Sequence, residues 1–320
     1  MSLVGIIPFM HRLSMSNTAP VLVVGFNRPK HLKTLLESIA LSPPRILLIA
    51  LDGPRAGNAL DQILVRECQE VIEQIPIKSK IELRIRSNNL GLKDSIVDAV
   101  NWACGKYGRV IVLEDDVQVG PNLFRFLNYC LNCFEGIDEI AHINGYNLVP
   151  QSALTHPTDI FRTSRFIESY AWATWDRAWK TYDDSLSWGS NVSLQELANF
   201  TGGYVSAIKW KMNFADALSG RIDTWAYRWM ASIWSQRKLI VSPNSNLINY
   251  LGQTSGTHTT LKYRWQELPI SMHSLDFTSM NLPSEIDKAA DKWLSREVFD
   301  ESLWGILKGL AISNVLRFSK

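Results

Sequence analysis

The chain has 320 residues, 46% of them hydrophobic and 20% charged, with a formal net charge of +2. That length suits one large α/β domain with elaborations, or a domain of roughly 150 residues with an accessory region. The near-neutral balance argues against the concentrated basic face that nucleic-acid binding requires. No segment approaches the roughly 18 to 20 uninterrupted apolar residues of a membrane-spanning helix. The apolar opening Met1–Met10 has neither a basic stretch before it nor a small-residue cleavage site after it, so a secretory route is not expected. Of the four cysteines, Cys68, Cys104, Cys130 and Cys133, only the last two have metal-like spacing, and no second Cys or His pair stands near enough to complete a zinc site. They read as reduced core cysteines of a cytoplasmic protein.

In chain order, Pro20–Phe26 is a short β-branched apolar run, as expected of a strand covered on both faces. Pro29 opens a helix at its first turn, and Leu32, Leu35, Leu36 and Ile39 form one apolar stripe at i, i+3, i+4 and i+7. Arg45–Leu51 is a second buried strand, stopped at Asp52-Gly53-Pro54, and Ala59–Ile75 has helical spacing through Leu60, Leu64, Val71 and Ile75. The alternation of Ile81, Leu83 and Ile85 predicts a third strand over Lys80–Arg86, nearer the edge of a sheet. The turn Asn88-Asn89-Leu90-Gly91 leads into a helix carrying Ile96, Val97, Val100 and Ala103. Val110–Leu113 is the fourth strand and runs into Glu114-Asp115-Asp116; Pro121 then begins another helix, with Leu123, Phe124, Leu127, Leu131 and Phe134 on its buried side. Strand and helix alternate four times with short connections, which predicts a Rossmann-like α/β fold with a mostly parallel sheet flanked by helices.

From about Val149 the composition changes: eight of the twelve tryptophans fall between Trp172 and Trp234, with Tyr170, Tyr182, Tyr204 and Tyr227 among them. Such rings pack cores and also suit the C–H faces of sugars; most are expected in the core and one or two along a cleft. The tail Leu303–Lys320 sets apolar residues among Lys308, Arg317 and Lys320. It reads as a closing helix packed on the domain, with peripheral contact to an anionic membrane surface as the second reading.

Ligands of open α/β sheets bind beyond the carboxyl ends of the strands. The residues there are Asn27 and Arg28 after the first strand, Asp52 after the second, Asn88 to Lys93 after the third and Glu114 to Asp116 after the fourth, all of types that can hold a nucleotide. Three adjacent carboxylates at the end of a buried strand repel one another and are costly to desolvate unless a cation lies among them. A hard divalent ion is the natural partner, because Mg2+ and Mn2+ prefer oxygen ligands and share a diphosphate with one or two carboxylates. Neighbouring side chains of an extended segment point in opposite directions, so a division is expected: Asp116 on the metal, Asp115 on ribose or donor-sugar hydroxyls, Glu114 in support. The plainer reading is an acidic loop ahead of the helix that begins near Pro121.

The stretch VIVLEDDVQVGPNLFRFLNYCL resembles the metal-binding segment of N-acetylglucosaminyltransferase I and its relatives among bacterial family 2-like glycosyltransferases. There an acidic Glu-Asp-Asp version of the Asp-X-Asp motif precedes a helix with a similar Pro-X-Leu/Phe-Phe pattern. APVLVVGFNRPKHLKTLLESI is similar to that family's first strand and basic turn, and ESYAWATWDRAW resembles its aromatic segment ahead of the acceptor region. The likeness covers most of Ala19–Thr260, closely to about residue 135 and loosely beyond. It implies a GT-A fold, an inverting transfer, and a nucleotide-sugar donor, UDP-linked by preference, bound through Mn2+ or Mg2+. By the same likeness Arg28 and Asp52 contact the nucleotide, Asp115 the ribose or sugar, and Asp116 the metal. The Golgi members' N-terminal membrane anchor has no counterpart in this reading. A glycan or lipid-linked oligosaccharide is the expected acceptor class, its identity not carried by the resemblance.

An inverting transfer also needs a carboxylate to take the acceptor hydroxyl's proton. Asp223, in SGRIDTWAYRWM, resembles the family's base, an acid just ahead of a Trp-rich helix; it is equally suited to cap that helix over Thr224–Trp234. Asp176, Asp183, Asp184 and Glu168 are the other carboxylates of the region. Gly252–His258 is small and polar, and Ser255 and His258 are candidate donors to phosphate oxygens that close the site against water. Lys93 offers the same from the Asn-Leu-Gly-Leu-Lys turn. The expected organisation is an N-terminal extension over 1–18, a nucleotide-sugar-binding half over 19–150, an acceptor and catalytic half of the same domain over 151–265, and a C-terminal extension over 266–320. The setting expected is bacterial surface-glycan assembly in the cytoplasm, with 303–320 touching the inner face of the membrane if the tail binds lipid.

Two other classes stay open. A sugar-1-phosphate nucleotidyltransferase uses a related sheet but needs a Gly-rich basic loop after the first strand, which Phe26-Asn27-Arg28-Pro29 does not supply. A catalytically silent carbohydrate-binding or scaffolding protein on the same fold has no need of an acidic triplet. Dinucleotide oxidoreduction is weaker, since no Gly-X-Gly-X-X-Gly follows any strand.

Overall fold

The four strand–helix units form as read from the sequence, with small shifts at their ends. In the computed structural model, which describes residues 18–252, 268–273, 275–277 and 285–318 (the side chains of 311–318 excepted), β1 (Val21–Gly25) leads to α1 (Pro29–Ala40) and β2 (Ile46–Leu51) to α2 (Ala59–Gln74). β3 (Lys80–Ile85) leads to α3 (Leu92–Tyr107), and β4 (Arg109–Glu114) precedes α4 (Leu123–Cys133). These strands are parallel neighbours in the order β3-β2-β1-β4, so the turns that follow them meet on one edge. Pro29 occupies the first turn of α1, where its missing N–H leaves no bond unmade. Asn58 caps α2 by accepting from the Asp61 N–H. β3 is an edge strand, with Ile81, Leu83 and Ile85 exposed on one side. The fourth helix starts later than expected. Pro121 and Asn122 lie in a turn; the Asn122 amide donates to the carbonyls of Ser271 and His273, and its side chain makes no cap hydrogen bond.

The second half adds strands that the sequence reading left unassigned. β6 (Ile140–Asn144), β7 (Phe161–Ser164), β8 (Ala171–Trp175) and β9 (Leu239–Pro243) extend the sheet to eight strands in the order β3-β2-β1-β4-β8-β6-β9-β7. β8 inserts antiparallel between β4 and β6, with Leu113 facing Ala171 and Ile143 facing Ala173. Four of the seven strand contacts are parallel. The result is a mixed α/β fold, a mostly parallel, Rossmann-like sheet flanked by helices. A second, two-stranded sheet pairs β5 (Val117–Val119) with β10 (Ile248–Tyr250) antiparallel, directly after the acidic triplet.

Helices α5 (Asp176–Trp179), α6 (Ser187–Asn191), α7 (Leu194–Thr201), α8 (Tyr204–Leu218) and α9 (Ala226–Ser235) build the aromatic layer. Trp172, Trp210, Trp225, Trp229 and Trp234 are buried, with Trp172 stacked 4.9 Å from Trp225 and Trp210 4.8 Å from Trp234. Truncating one such ring costs about 3–5 kcal/mol, so this half is mainly core, as expected. Under it, Trp229 Nε1 donates to His142 Nδ1, which leaves Nε2 to donate to Asn144 Oδ1. Burial depresses the His142 pKa to about 3, so the ring stays neutral. The four cysteines are free; burial pushes the thiols of Cys68 and Cys104 up to about 12, which makes them inert packing groups. At the C-terminal side, α10 (Lys288–Glu297) precedes α11 (Leu303–Phe318), which packs on α8 yet leaves Leu303, Trp304, Leu307 and Leu310 exposed. No helix among the described residues is long and apolar enough to cross a membrane.

Candidate functional site

The carboxyl ends of β1, β2 and β4 and the turn after β3 open onto one cavity of about 1230 Å³. That exceeds the usual small-molecule pocket and has room for more than one ligand at once. Its walls bring together Asn27, Arg28, Asp52, Glu114, Asp115, Asp116 and Asp223. Lys93 is not among them: its ammonium is held by both oxygens of Asp184, at 2.8 and 2.9 Å, and by Asp94 at 2.7 Å. Ser255 and His258 lie outside the described residues.

Glu114 ends β4 opposite Val24, and Asp115 and Asp116 form the turn into β5. Asp115 Oδ2 accepts from the Phe26 N–H at 3.3 Å. Arg28 Nη1 donates to Asp115 Oδ1 at 3.3 Å and to Asp116 Oδ2 at 3.1 Å, while the Trp225 side chain bonds to Glu114. One guanidinium thus faces three carboxylates. Burial, then repulsion from Asp116, pushes Asp115 up to about 7; burial and both neighbours push Glu114 well above the usual range, and burial raises Asp116 against the pull of Arg28. Burial works against the Arg28 cation, but Asp115, Asp116, Tyr250 and Glu114 together hold its pKa above the ordinary value.

The cluster remains short of positive charge, and it shows where. Asp116 Oδ1 is buried and has no hydrogen-bond partner among the described residues, an orphaned acceptor of the kind native proteins seldom leave. A hard divalent cation fits this oxygen set. Among the described residues no group of three or more His, Cys, Asp or Glu is arranged to hold a metal unaided. A cation here would therefore draw most of its ligands from phosphate oxygens and water, as Mg2+ commonly does.

Asp52 and Asn27 prove to be builders of the wall. The Asp52 carboxylate accepts from the Gly53 and Leu90 N–H groups and from the Asn89 amide, so it clamps the turn after β3 against the turn after β2. A Cβ on Gly53 would lie 2.5 Å from the Asn88 backbone nitrogen, so only glycine permits this approach. The Asn27 amide donates to Asp61, which Arg55 also grips; the Arg55 hydrogen bonds lead in holding the Asp61 pKa at about 2. Asp61 and Asn58 carry no sequence signal beyond a helix start.

Asp223 is not the cap of the following helix. α9 begins at Ala226, and Thr224 Oγ1 accepts from the Ala226 N–H. The Asp223 carboxylate is exposed at the cavity wall with no hydrogen bond or ion pair among the described residues, and its Oδ2 would lie 3.5 Å from a Cβ on Gly91. Aromatic rings line one side of the cavity, as expected of one or two residues of the Trp- and Tyr-rich half; Tyr250 was not among those singled out in the sequence. Tyr170 and Tyr250 line that side with ring centroids 4.2 Å apart. Tyr250 arrives there because β10 pairs with β5, and the next residue, Leu251, donates its N–H to the Asp116 carbonyl at 2.7 Å.

No family model and no curated protein matches the chain. One similar solved structure is a mannose-1-phosphate geranyltransferase from Thermus thermophilus, at 12% identity over 71% of this chain and 74% of that chain, with a TM-score of 0.30. A likeness at that distance carries no inference about what this chain does.

Proposed function

We propose that the chain is an enzyme of nucleotide-sugar metabolism, and within that class an inverting, divalent-metal-dependent glycosyltransferase of GT-A type. It moves a sugar from a nucleotide diphosphate, UDP by preference, to a hydroxyl of a glycan or lipid-linked acceptor. The observation that carries this reading is the acidic turn at the cavity wall, where Arg28 pairs with Asp115 and Asp116 while Asp116 Oδ1 has no partner.

Asp116 offers that oxygen to Mn2+ or Mg2+, which when bound stabilises the charge that develops on the departing diphosphate. Asp115 accepts from ribose or sugar hydroxyls, and Glu114, held by Trp225, supports both. Arg28 turns its fork from the carboxylates to a phosphate oxygen. Asn27 and Asp52 shape the nucleotide wall. Asp223 takes the proton of the acceptor hydroxyl as its oxygen bonds to the anomeric carbon and the bond to the diphosphate breaks. Ser255 and His258 remain candidate phosphate donors. The exposed Leu303, Trp304 and Leu307 on α11, with Lys308 beside them, support peripheral contact with an anionic membrane.

The test is a screen of UDP, GDP, CDP and dTDP sugars with Mn2+, read as thermal shift and as nucleotide released over an acceptor panel. One nucleotide class should stabilise the protein only with metal and be released as the free diphosphate. Consumption of a nucleoside triphosphate and a sugar 1-phosphate with release of pyrophosphate would replace this reading with a nucleotidyltransferase. Metal-dependent binding without release would leave a carbohydrate-binding module, and no response to any nucleotide would end the proposal.

A further inference from the structure

A second polar feature of the cavity lies at the start of β8. Glu168 lines the cavity, is 4% exposed, and has no hydrogen-bond partner for either carboxylate oxygen among the described residues. The Leu148 N–H lies close enough to favour the charged form but does not complete a hydrogen bond. Behind it, Arg162 on β7 places Nη2 3.8 Å from Glu168 Oε1, too far for a hydrogen bond. Arg162 Nη1 is engaged by Asn147 Oδ1, the Pro243 carbonyl and Asn244 Oδ1, yet Nε and Nη2 have no hydrogen-bond partner among the described residues, Nη2 keeping only its long ion pair to Glu168. The buried Tyr146 hydroxyl is another orphan, and after burial the Glu168 carboxylate is the next cause of its raised pKa.

Five of the eight unpartnered buried side-chain atoms among the described residues therefore belong to Tyr146, Arg162 and Glu168. Each such atom is costly to bury if nothing binds it. Of the three residues only Glu168 lines the cavity, so its two orphaned oxygens mark the place there where a ligand's polar groups belong, with Arg162 and Tyr146 behind them. Its position is fixed by the core: the Glu168 N–H donates at 2.7 Å to Asn144 Oδ1, the same oxygen that receives His142 Nε2. Two residues on, the Tyr170 ring faces the cavity beside Tyr250.

The chemistry of the ligand follows from the atoms. A phosphate would set its own acceptor oxygens against those of Glu168, a free amine would add a second cation near Arg162 behind it, and an apolar group would leave the Glu168 oxygens unsatisfied. Vicinal hydroxyls satisfy them without added charge, and a sugar carrying them offers a C–H face to an aromatic ring. We propose that Glu168 reads the hydroxyls of a saccharide: its carboxylate accepts from two of them while Tyr170 packs on the ring face. This deepens the glycosyl-transfer reading and rests on it only for the sugar's role in a reaction. The sugar is that of the donor or that of the acceptor.

Isothermal titration with Mn2+ tests this on the full chain, comparing UDP with UDP-hexoses and then, on the UDP-loaded protein, a panel of methyl glycosides. Glu168→Gln keeps the shape but exchanges an acceptor oxygen for an amide donor; Glu168→Asp keeps the carboxyl group opposite Arg162 and withdraws it by one methylene, so the fold is retained in at least one variant. If the donor sugar is read, both variants lose about tenfold or more in UDP-hexose affinity while UDP alone binds as before. If the acceptor is read, the loss falls on the methyl glycoside and not on either nucleotide. Should UDP fail to bind even the wild type, the transfer reading fails by itself, and a glycan array on wild type and variants decides the subsite. Saccharide binding that is unchanged in both variants, or absent from the wild type on every arm, overturns the proposal.

Discussion

Arg28 bridges Asp115 and Asp116 through a single nitrogen, Nη1, at 3.3 and 3.1 Å. The buried turn thus depends on a cation that is itself only a quarter exposed. Arg28→Met should lower stability by about 2 kcal/mol without metal, less than for a wholly buried pair because solvent screens part of the contact. Added Mn2+ should restore much of the loss. Denaturant melts with and without Mn2+ check this, and a variant equally stable in both conditions would show that no cation is taken up between the two carboxylates.

Asp116→Asn keeps the shape of the turn and replaces one carboxylate oxygen with an amide. Metal-dependent affinity for the nucleotide sugar should fall by about a hundredfold or more, while the circular dichroism spectrum is retained. Unchanged Mn2+-dependent titration curves would remove Asp116 from the metal.

Asp223→Asn should separate binding from chemistry. Donor affinity is expected to stay within about twofold of wild type, and transfer to drop by about 100-fold to 10,000-fold, the span of a lost general base. Near-wild-type transfer would reassign the proton to another carboxylate of the cavity.

Stability should also fall with rising pH. Burial leads in raising the Glu168 pKa from an ordinary 4.5 to about 8, with Arg162 opposing. The folded protein therefore holds a proton that the unfolded chain has already lost over that window. The stability this contributes is full below the unfolded value, declines as pH rises toward about 8, and is gone above it. Asp115, raised to about 7, adds a decline of the same sign. Melts of the metal-free protein across pH 5 to 9 should show a shallower slope for Glu168→Gln than for wild type; a steeper one would contradict the assignment.

Much of the first half was legible because its signals are local. Pro29 at a helix start, the β-branched runs and the edge alternation of β3 each state their own conformation within a few residues. The convergence of Arg28, Asp52 and the acidic triplet followed from the rule that parallel strands end on one side. The remainder depended on long-range pairing. Nothing local marks Ala171–Trp175 as a strand to be inserted beside β4, and so Glu168 and Tyr170 could not be placed at the cavity. The pairing of β10 with β5, which brings Tyr250 to Arg28, is likewise invisible from spacing. Asp223 was ambiguous for a different reason: a carboxylate ahead of a helix looks the same whether it caps the helix or faces a cleft, and here the N-cap is Trp225. The pairing of Lys93 with Asp184 was likewise not visible, because the two lie far apart along the sequence.

β8 comes from the second half of the chain yet lies against β4, and β10 is hydrogen-bonded to the segment that follows Asp116. This makes the molecule poorly modular. A fragment ending near residue 150 would keep Arg28, Asp115 and Asp116 but expose the flank of β4 and strip the partner from β5. Exchanging the aromatic half for that of another protein would likewise replace the strands that brace the acidic turn. Whatever this half recognises, it cannot be exchanged without disturbing the charges it supports.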